Sequence, residues 1–405
     1  MSAAKNSSLS EINATRAILV LALAPAVGLG IGRFAYSLVL PDMRDALGWS
    51  YATAGFMNTI NAAGYLAGAL GAAPFVRRYG LLAAVSVGTI ACLVSLALCA
   101  MTGNVVVFSF ARLLAGLGAA IAFVGGGALA AGIAQARPAQ GAVLLSLFYM
   151  GPAIGIVISG IAGPFLLEAF GPGSWWIVWT ALTALSAVLT LPVMMLRIES
   201  TEPKETSAPA TIALWPILAY LIGYFLFGAG YIAYMTFMIA YIRDAGGGAF
   251  AQSAFWCLIG ISAFGSPWIW RGLMARGHSG MTTAILIGVT AIGTGLALFG
   301  SAPGLLAISA VVFGNAFFAV VTATTVFTRL NYPRPAWPKV IGILTVSFGL
   351  GQTLGPIATG AITDAMGSLS YALNVSAAAL ALGAIVCALQ RPLAPPQAAS
   401  SAPAE

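Results

Sequence analysis

Long apolar segments, separated by short polar turns, fill most of this 405-residue chain. A helix needs about 20 consecutive apolar residues to cross the hydrocarbon core of a bilayer. Only 7% of the residues are charged, whereas a water-soluble domain uses about 25% to cover its surface. The sequence therefore predicts an all-α membrane protein with twelve transmembrane helices, which we number as spans 1 to 12. The predicted spans are 16–40, 52–73, 81–101, 104–133, 139–167, 174–197, 212–242, 250–271, 281–300, 303–329, 338–362 and 368–390.

Lysine and arginine are distributed unevenly between the two ends of these spans. Of the 17, thirteen lie on the side that bears both termini, two lie on the opposite side, and Arg33 and Arg112 lie within spans. Cytoplasmic loops carry such an excess of basic residues, so we expect the chain in a plasma membrane with both termini in the cytoplasm. The net charge of +7 is then a topology signal, and it does not indicate nucleic-acid binding.

The two halves of the sequence repeat each other at offsets of about 200 residues. Two parallel six-helix repeats with a binding site between them are a recurring plan of secondary transporters. We therefore predict an N-terminal six-helix bundle at 1–198, a polar cytoplasmic linker at 199–211 and a C-terminal bundle with a short tail at 212–405. The matching pairs include Gly30 and Gly228, Tyr36 and Tyr234, Arg44-Asp45-Ala46 and Arg243-Asp244-Ala245, and Gly155 and Gly355.

Several motifs resemble the major facilitator superfamily of transporters. Arg112-Leu-Leu-Ala-Gly116-Leu-Gly118-Ala-Ala in span 4 is similar to its RxxxGxGxA pattern, and Gly151-Pro152-Ala-Ile-Gly155 in span 5 to the GPxxG pattern of its antiporters. Arg77-Arg78-Tyr79-Gly80 resembles its DRxG loop, with Arg77 in place of the Asp. GRFAYSLVLPDM in span 1 resembles the signature of the bacterial YbfB/YjiJ branch. The resemblance implies a major facilitator fold and transport by alternating access, and it supplies no substrate.

Arg33 and Arg112 are the main candidates for substrate binding. At a rise of 1.5 Å per residue, both lie about 12 Å from the end of the spans opposite the termini. A cation at such a depth costs about 2.5–3.5 kcal/mol, and an anionic substrate would offset that cost because a guanidinium suits carboxylate or phosphate. In the alternative interpretation, each arginine bonds helix carbonyls and Asn58, Asn61 or Tyr36, and holds the helices together.

Other polar and aromatic residues near the middle of the spans are further candidates. Each of them also has an ordinary interpretation as packing or as an interhelical hydrogen bond. Tyr231 occupies the repeat position equivalent to Arg33. The predicted substrate-binding residues are Arg33, Arg112, Tyr36, Tyr149, Tyr231, Tyr234, Asn58, Asn315 and Gln352.

Glycine and proline pairs within spans 5 and 11 are candidate gating residues. Proline kinks a helix because it removes a backbone hydrogen bond, and the adjacent glycine permits close packing. The resemblance adds two residues from the loop after span 2. The predicted gating residues are Gly151, Pro152, Gly155, Gly355, Pro356, Arg78 and Gly80.

The sequence predicts a monomeric secondary transporter of a small organic anion, with the lipid bilayer around it. No catalytic motif is present and the four cysteines lack metal-ligand spacing, so we expect no enzymatic activity, cofactor, metal or nucleic-acid partner. Protons are one candidate coupling ion, with Asp42 and Glu168 as the best carboxylates, whereas anion exchange would need no proton site. The alternatives are proton-driven efflux of a lipophilic drug or metabolite and a non-transporting membrane sensor.

Overall fold

The structure, a computed structural model, describes residues 2–137, 139–198 and 212–393, with the backbone alone described at 2–12 and 334. All regular secondary structure in these ranges is helical. The predicted linker at 199–211 and the tail from residue 394 lie outside the described residues.

The described ranges contain 12 helices that are long and apolar enough to cross a membrane, which confirms the twelve predicted spans. Several helices extend beyond the predicted ends, because polar residues continue a helix past the apolar part of a span. The spans are Asn13–Leu47, Tyr51–Tyr79, Leu81–Met101, Val105–Gln135, Gly141–Phe170, Trp175–Met194, Trp215–Asp244, Ala249–Met274, Met281–Phe299, Pro303–Asn331, Trp337–Met366 and Leu369–Ala388.

Span 1 changes its helix type in the middle. The α-helix Ser2–Pro25 passes into a π-helical segment, Ala26–Phe34, and an α-helix resumes at Tyr36–Leu47. Pro25 has no backbone N–H to donate, so the α-helical hydrogen-bond pattern is interrupted just before this segment. π-Helical turns, with i→i+5 hydrogen bonds, are frequent at functional sites. The sequence did not predict this segment, which carries Arg33 near its end.

Glycines let span 5 lie directly on span 1. A Cβ atom on Gly30 would lie 2.5 Å from the Cα of Gly155 and 2.6 Å from the carbonyl oxygen of Pro152, which no real side chain could occupy. Gly355 of span 11 lies equally close to the backbone of Ala229 in span 7. The two equivalent glycines, Gly155 and Gly355, therefore pack equivalent pairs of helices.

The same pairs of spans pack together in both halves of the chain. Span 4 packs against spans 2 and 3, and span 10 packs against spans 8 and 9. Between the halves, span 2 packs along span 11 and span 5 packs along span 8. The result is two similar six-helix units that meet along two seams, as the repeat in the sequence predicted.

Polar contacts join the two halves at the end of the bundle opposite the termini, which we call the distal end. Asp364 of span 11 accepts hydrogen bonds from the backbone N–H groups of Tyr51 and Ala52, at 2.9 and 2.8 Å. These two groups belong to the first turn of span 2, where backbone donors have no partner within the helix. A carboxylate of one half therefore caps a helix of the other.

The repeated Arg-Asp motif adds two more contacts between the halves at the distal end. Arg243 forms an ion pair with Asp45 at 2.9 Å. The hydroxyl of Tyr51 donates a hydrogen bond to Asp244 at 3.0 Å. Each motif therefore contacts the opposite half, and these contacts hold the two halves together at the distal end. We call these two contacts, together with the hydrogen bonds of Asp364, the distal seam.

Candidate functional site

Arg112 is fully buried and bonded to two other spans. Its Nη1 donates to the carbonyl oxygen of Gly32 at 2.5 Å. Its Nη2 donates to the carbonyl oxygen of Arg33 at 3.2 Å and to Oδ1 of Asn58 at 2.9 Å. Both carbonyls lie at the end of the π-helical segment of span 1. Arg112 therefore ties spans 1, 2 and 4 together, at the same depth as Arg33.

Two other predicted residues belong to the surroundings of Arg112. The ring of Tyr36 lies 4.8 Å from the guanidinium carbon, and its hydroxyl donates to the carbonyl oxygen of Ala54 at 2.8 Å. Asn58 also donates to the hydroxyl of Thr236 in span 7 at 2.7 Å. The network around Arg112 therefore reaches from the N-terminal half into the C-terminal half.

Arg33 lies beside this network and is held differently. Its side chain is 4% exposed, and its Nε and Nη2 atoms have no hydrogen-bond partner among the described residues. Its guanidinium carbon lies 5.0 Å from the ring centre of Tyr65 and 5.9 Å from that of Phe34, within the range of cation–π attraction. Ring faces attract a cation but leave its N–H groups unbonded, so Arg33 has donors to offer to a ligand.

Tyrosine and glutamine side chains from both halves lie near Arg33. The phenols of Tyr65 and Tyr231 are within electrostatic range of its guanidinium. Gln352 donates a hydrogen bond to the hydroxyl of Tyr231, and its Oε1 has no partner in the described ranges. Arg33 and its repeat equivalent, Tyr231, thus come together where the two halves meet.

Tyr65 is a residue of this cluster that the sequence prediction missed. Asn58, Asn61 and Tyr65 follow one another in span 2 at spacings of three and four residues, which place them on one face of a helix. Asn61 donates to the backbone carbonyl of Arg112 at 3.0 Å. A polar face on an otherwise apolar span was the signal that could have identified Tyr65.

The remaining predicted substrate contacts lie at or beyond the border of the cluster. Tyr149 is 53% exposed and within electrostatic range of Tyr65. The hydroxyl of Tyr234 is bonded to Ser309 at 2.7 Å. The side chain of Asn315 is half-buried. We place Tyr149 at the border of the cluster, with Tyr234 and Asn315 outside it.

The predicted gating residues lie either at contacts between helices or in the turn after span 2. Gly151 packs against the carbonyl of Ala22 in span 1, and Gly55 of span 2 packs against the carbonyl of Pro356 across the two halves. Arg78 stacks on the ring of Tyr79, 5.5 Å from its centre. The turn that follows needs a glycine, because Gly80 has a φ of 85°. A gating role for these residues stays a prediction.

The two carboxylates predicted for proton coupling line one cavity at the distal end. This cavity has a volume of about 590 Å³, and Asp42, Asp45, Glu168 and Arg243 are among the residues that line it. Asp42 accepts hydrogen bonds from backbone N–H groups at the start of span 6, at 2.8 and 2.9 Å. The cavity is separate from the cluster around Arg33.

Comparisons with solved structures find the same fold in known transporters. The nucleoside transporter NupG is 14% identical to this chain with a TM-score of 0.69, covering 93% of this chain and 97% of that chain. A mutant of NupG gives 15% identity and a TM-score of 0.71, covering 91% and 98%. A bacterial homolog to the human lysosomal transporter Spinster, in an inward-facing and unoccupied conformation, is 14% identical with a TM-score of 0.67. That match covers 93% of this chain and 95% of that chain.

These identities are low, so the likeness to solved structures shows the fold alone. No curated protein sequence matches the chain. A model of one protein family, described as "Uncharacterised MFS-type transporter YbfB", matches residues 25–388. The match covers nearly all of the twelve spans and confirms the resemblance found in the motifs. The chain therefore belongs to this YbfB family of the major facilitator superfamily, and it is a membrane transporter and not an enzyme.

Proposed function

We propose that this transporter moves a small organic anion across the bacterial inner membrane by alternating access, and that Arg33 binds the anionic group. The observation that carries the proposal is a guanidinium with 4% exposure whose Nε and Nη2 atoms have no partner among the described residues. A buried charge without hydrogen bonds is costly. A carboxylate or phosphate would accept from both atoms of the guanidinium fork and offset that cost.

Arg112 has a different role in this proposal. Its two terminal nitrogens are already bonded to backbone carbonyls and to Asn58, so it fixes the helices around the site. Tyr65, Tyr231 and Gln352 contribute the polar groups that surround the rest of the ligand.

The distal seam defines the direction in which the site opens. With the termini in the cytoplasm, as the distribution of basic residues favours, the distal end faces the periplasm. The contacts of Asp364 and Arg243 then close the periplasmic side, and the structure is an inward-facing state. Transport requires these contacts to break and reform.

Two coupling schemes agree with this arrangement. Exchange of one anion for another needs only Arg33, because the incoming anion replaces the outgoing one as the hydrogen-bond acceptor of the guanidinium. Proton coupling would use Asp42 or Glu168 in the distal cavity. In both schemes a single chain contains the whole site, and we expect a monomer to be active.

A thermal-shift screen of the purified full chain tests the proposal. The panel contains monocarboxylates, dicarboxylates, phosphates and lipophilic cations. A ligand that binds the folded state at a hundredfold excess over its dissociation constant adds about 2.7 kcal/mol of stability. We expect stabilisation by anions, lost in Arg33→Ala and kept in Arg271→Ala, which removes an exposed arginine.

Stabilisation by lipophilic cations that is equal in the unaltered chain and in Arg33→Ala would overturn the anion proposal. That result would support the alternative of drug or metabolite efflux. Anion stabilisation that survives in Arg33→Ala would place the anion elsewhere and would remove Arg33 from the site.

A further inference from the structure

Five aromatic rings form a wall in the C-terminal half, close to Arg33. Tyr231 and Phe348 are nearly parallel, with ring centres 5.7 Å apart and an angle of 4° between the planes. Tyr224 lies 4.8 Å from Phe348 at 13°, and Phe227 lies 5.0 Å from Tyr231 at 15°. Phe317 continues the stack, 6.0 Å from Tyr231 at 29°. We call these five residues the aromatic wall.

The aromatic wall lies close to Arg33. Tyr65 lies under the guanidinium of Arg33, with its ring centre at 5.0 Å. The next residue, Leu66, packs against Gly349, which follows Phe348 of the wall. Both Tyr65 and Phe348 are only half-buried. The aromatic surface left uncovered near Arg33 therefore belongs to these two rings, and the other four rings of the wall are buried.

The wall is fixed in place before any ligand binds. Gln352 bonds the hydroxyl of Tyr231, and a Cβ atom on Gly228 would lie 3.2 Å from the ring of Phe348. Rings that are held in parallel by such contacts lose little conformational freedom when another ring stacks on them, which favours binding.

We infer that the transported anion is aromatic, a planar ring that bears a carboxylate. The inference rests on the proposed function, because it needs Arg33 to bind the anionic group. A ring stacked on the aromatic wall gains an attraction between π systems beyond the burial of its surface. The guanidinium of Arg33 then donates hydrogen bonds to the carboxylate at the edge of that ring. A saturated anion of the same size would gain the ion pair without the stacking.

A comparison of benzoate with cyclohexanecarboxylate separates the contribution of ring stacking from that of the ion pair with Arg33. The two anions carry the same charge and the same number of non-hydrogen atoms, and only benzoate has an aromatic ring. Their dissociation constants are measured by isothermal titration calorimetry on the purified full chain. We expect benzoate to bind about fivefold more tightly, the size of effect that aromatic pairing gives.

A substitution in the wall provides the second measurement. Phe348→Leu should bring the two dissociation constants to within about twofold, since it removes a stacking partner and keeps an apolar side chain. Phe250→Leu is the matched control, because Phe250 is 77% exposed at the start of span 8. It should leave the preference for benzoate unchanged.

The outcomes distinguish a failure of this inference from a failure of the proposed function. Equal affinities for the two acids in the unaltered chain, both lost in Arg33→Ala, would overturn the aromatic inference and keep Arg33 as the anion site. No binding of either acid would overturn the aromatic inference and leave the proposed function to the wider panel of anions. Binding of both acids that is unchanged in Arg33→Ala would overturn both. The comparison of the two acids decides the inference even if Phe348→Leu does not fold.

Discussion

Arg33 and Arg112 lie at the same depth on neighbouring helices, yet their hydrogen bonding differs. Arg112 has three hydrogen bonds from its two terminal nitrogens to Gly32, Arg33 and Asn58, and its Nε alone lacks a partner among the described residues. Arg33 has ring faces on two sides and no partner for Nε or Nη2 among the described residues. Depth in the membrane alone therefore does not distinguish the two arginines, whereas the hydrogen bonds of each guanidinium do.

The difference also shows what each charge costs the fold. The cost of burying Arg112 is offset within the protein, so removing it leaves several groups without partners. In the proposed function, the missing hydrogen bonds of Arg33 cost stability that a bound anion would restore, and such losses of stability are common at functional sites. The following variants test this contrast, and their expected effects on stability decrease in order.

Arg112→Leu should have the largest effect. It leaves the carbonyls of Gly32 and Arg33 and the amide of Asn58 without their donors, and we expect the free energy of unfolding to fall by about 3 kcal/mol. Thermal unfolding in detergent, followed by tryptophan fluorescence, measures the loss. An unchanged melting temperature would mean that these hydrogen bonds do not hold the helices together.

Arg33→Leu should have the opposite sign and a smaller size. Because it removes a buried charge whose Nε and Nη2 atoms have no partner among the described residues, we expect a gain of about 1 kcal/mol in the absence of ligand. The same unfolding measurement applies, and the gain should be accompanied by loss of stabilisation by anions. A loss of stability as large as that of Arg112→Leu would remove the contrast between the two arginines.

Tyr36→Phe should have the smallest effect. The ring 4.8 Å from Arg112 is kept, and only the 2.8 Å hydrogen bond to the carbonyl of Ala54 is lost. Side-chain hydrogen bonds between membrane helices contribute about 0.6 kcal/mol on average, and we expect a loss of that order. Anion binding measured by calorimetry should not change, and a tenfold loss of affinity would instead place Tyr36 in the binding site.

The fold and the depth of the two arginines could be predicted from the sequence. The length and apolar character of the spans follow from the bilayer, and the constant rise of a helix places Arg33 and Arg112 at one level. The repeated glycines also predicted close packing, and Gly155 and Gly355 do pack against equivalent spans. These are properties of single helices or of short motifs, so they can be derived residue by residue.

The partners of the two arginines could not be predicted. The acceptors of Arg112 include two backbone carbonyls at the end of the π-helical segment, and carbonyls carry no sequence signal. The cluster around Arg33 joins Tyr65 to Tyr231 across the two halves, which depends on how spans 2 and 7 are oriented. Hydropathy predicts that these helices exist, but it does not predict how each is rotated about its own axis.

The π-helical segment of span 1 has a consequence for how the gene can change. An α-helix turns by about 100° per residue, so the loss of one codon normally rotates one end of a span away from its neighbours. A π-helical turn closes its hydrogen bonds over one more residue than an α-helical turn. A one-residue deletion within 26–34 can therefore be absorbed by a return to α-helix. We expect chains with such a deletion to fold, with the residue at the position of Arg33 turned away from the site. If Arg33 binds the anion as proposed, the loss or gain of one codon in this segment would let related transporters lose or gain the anion site while the packing of the other helices is kept.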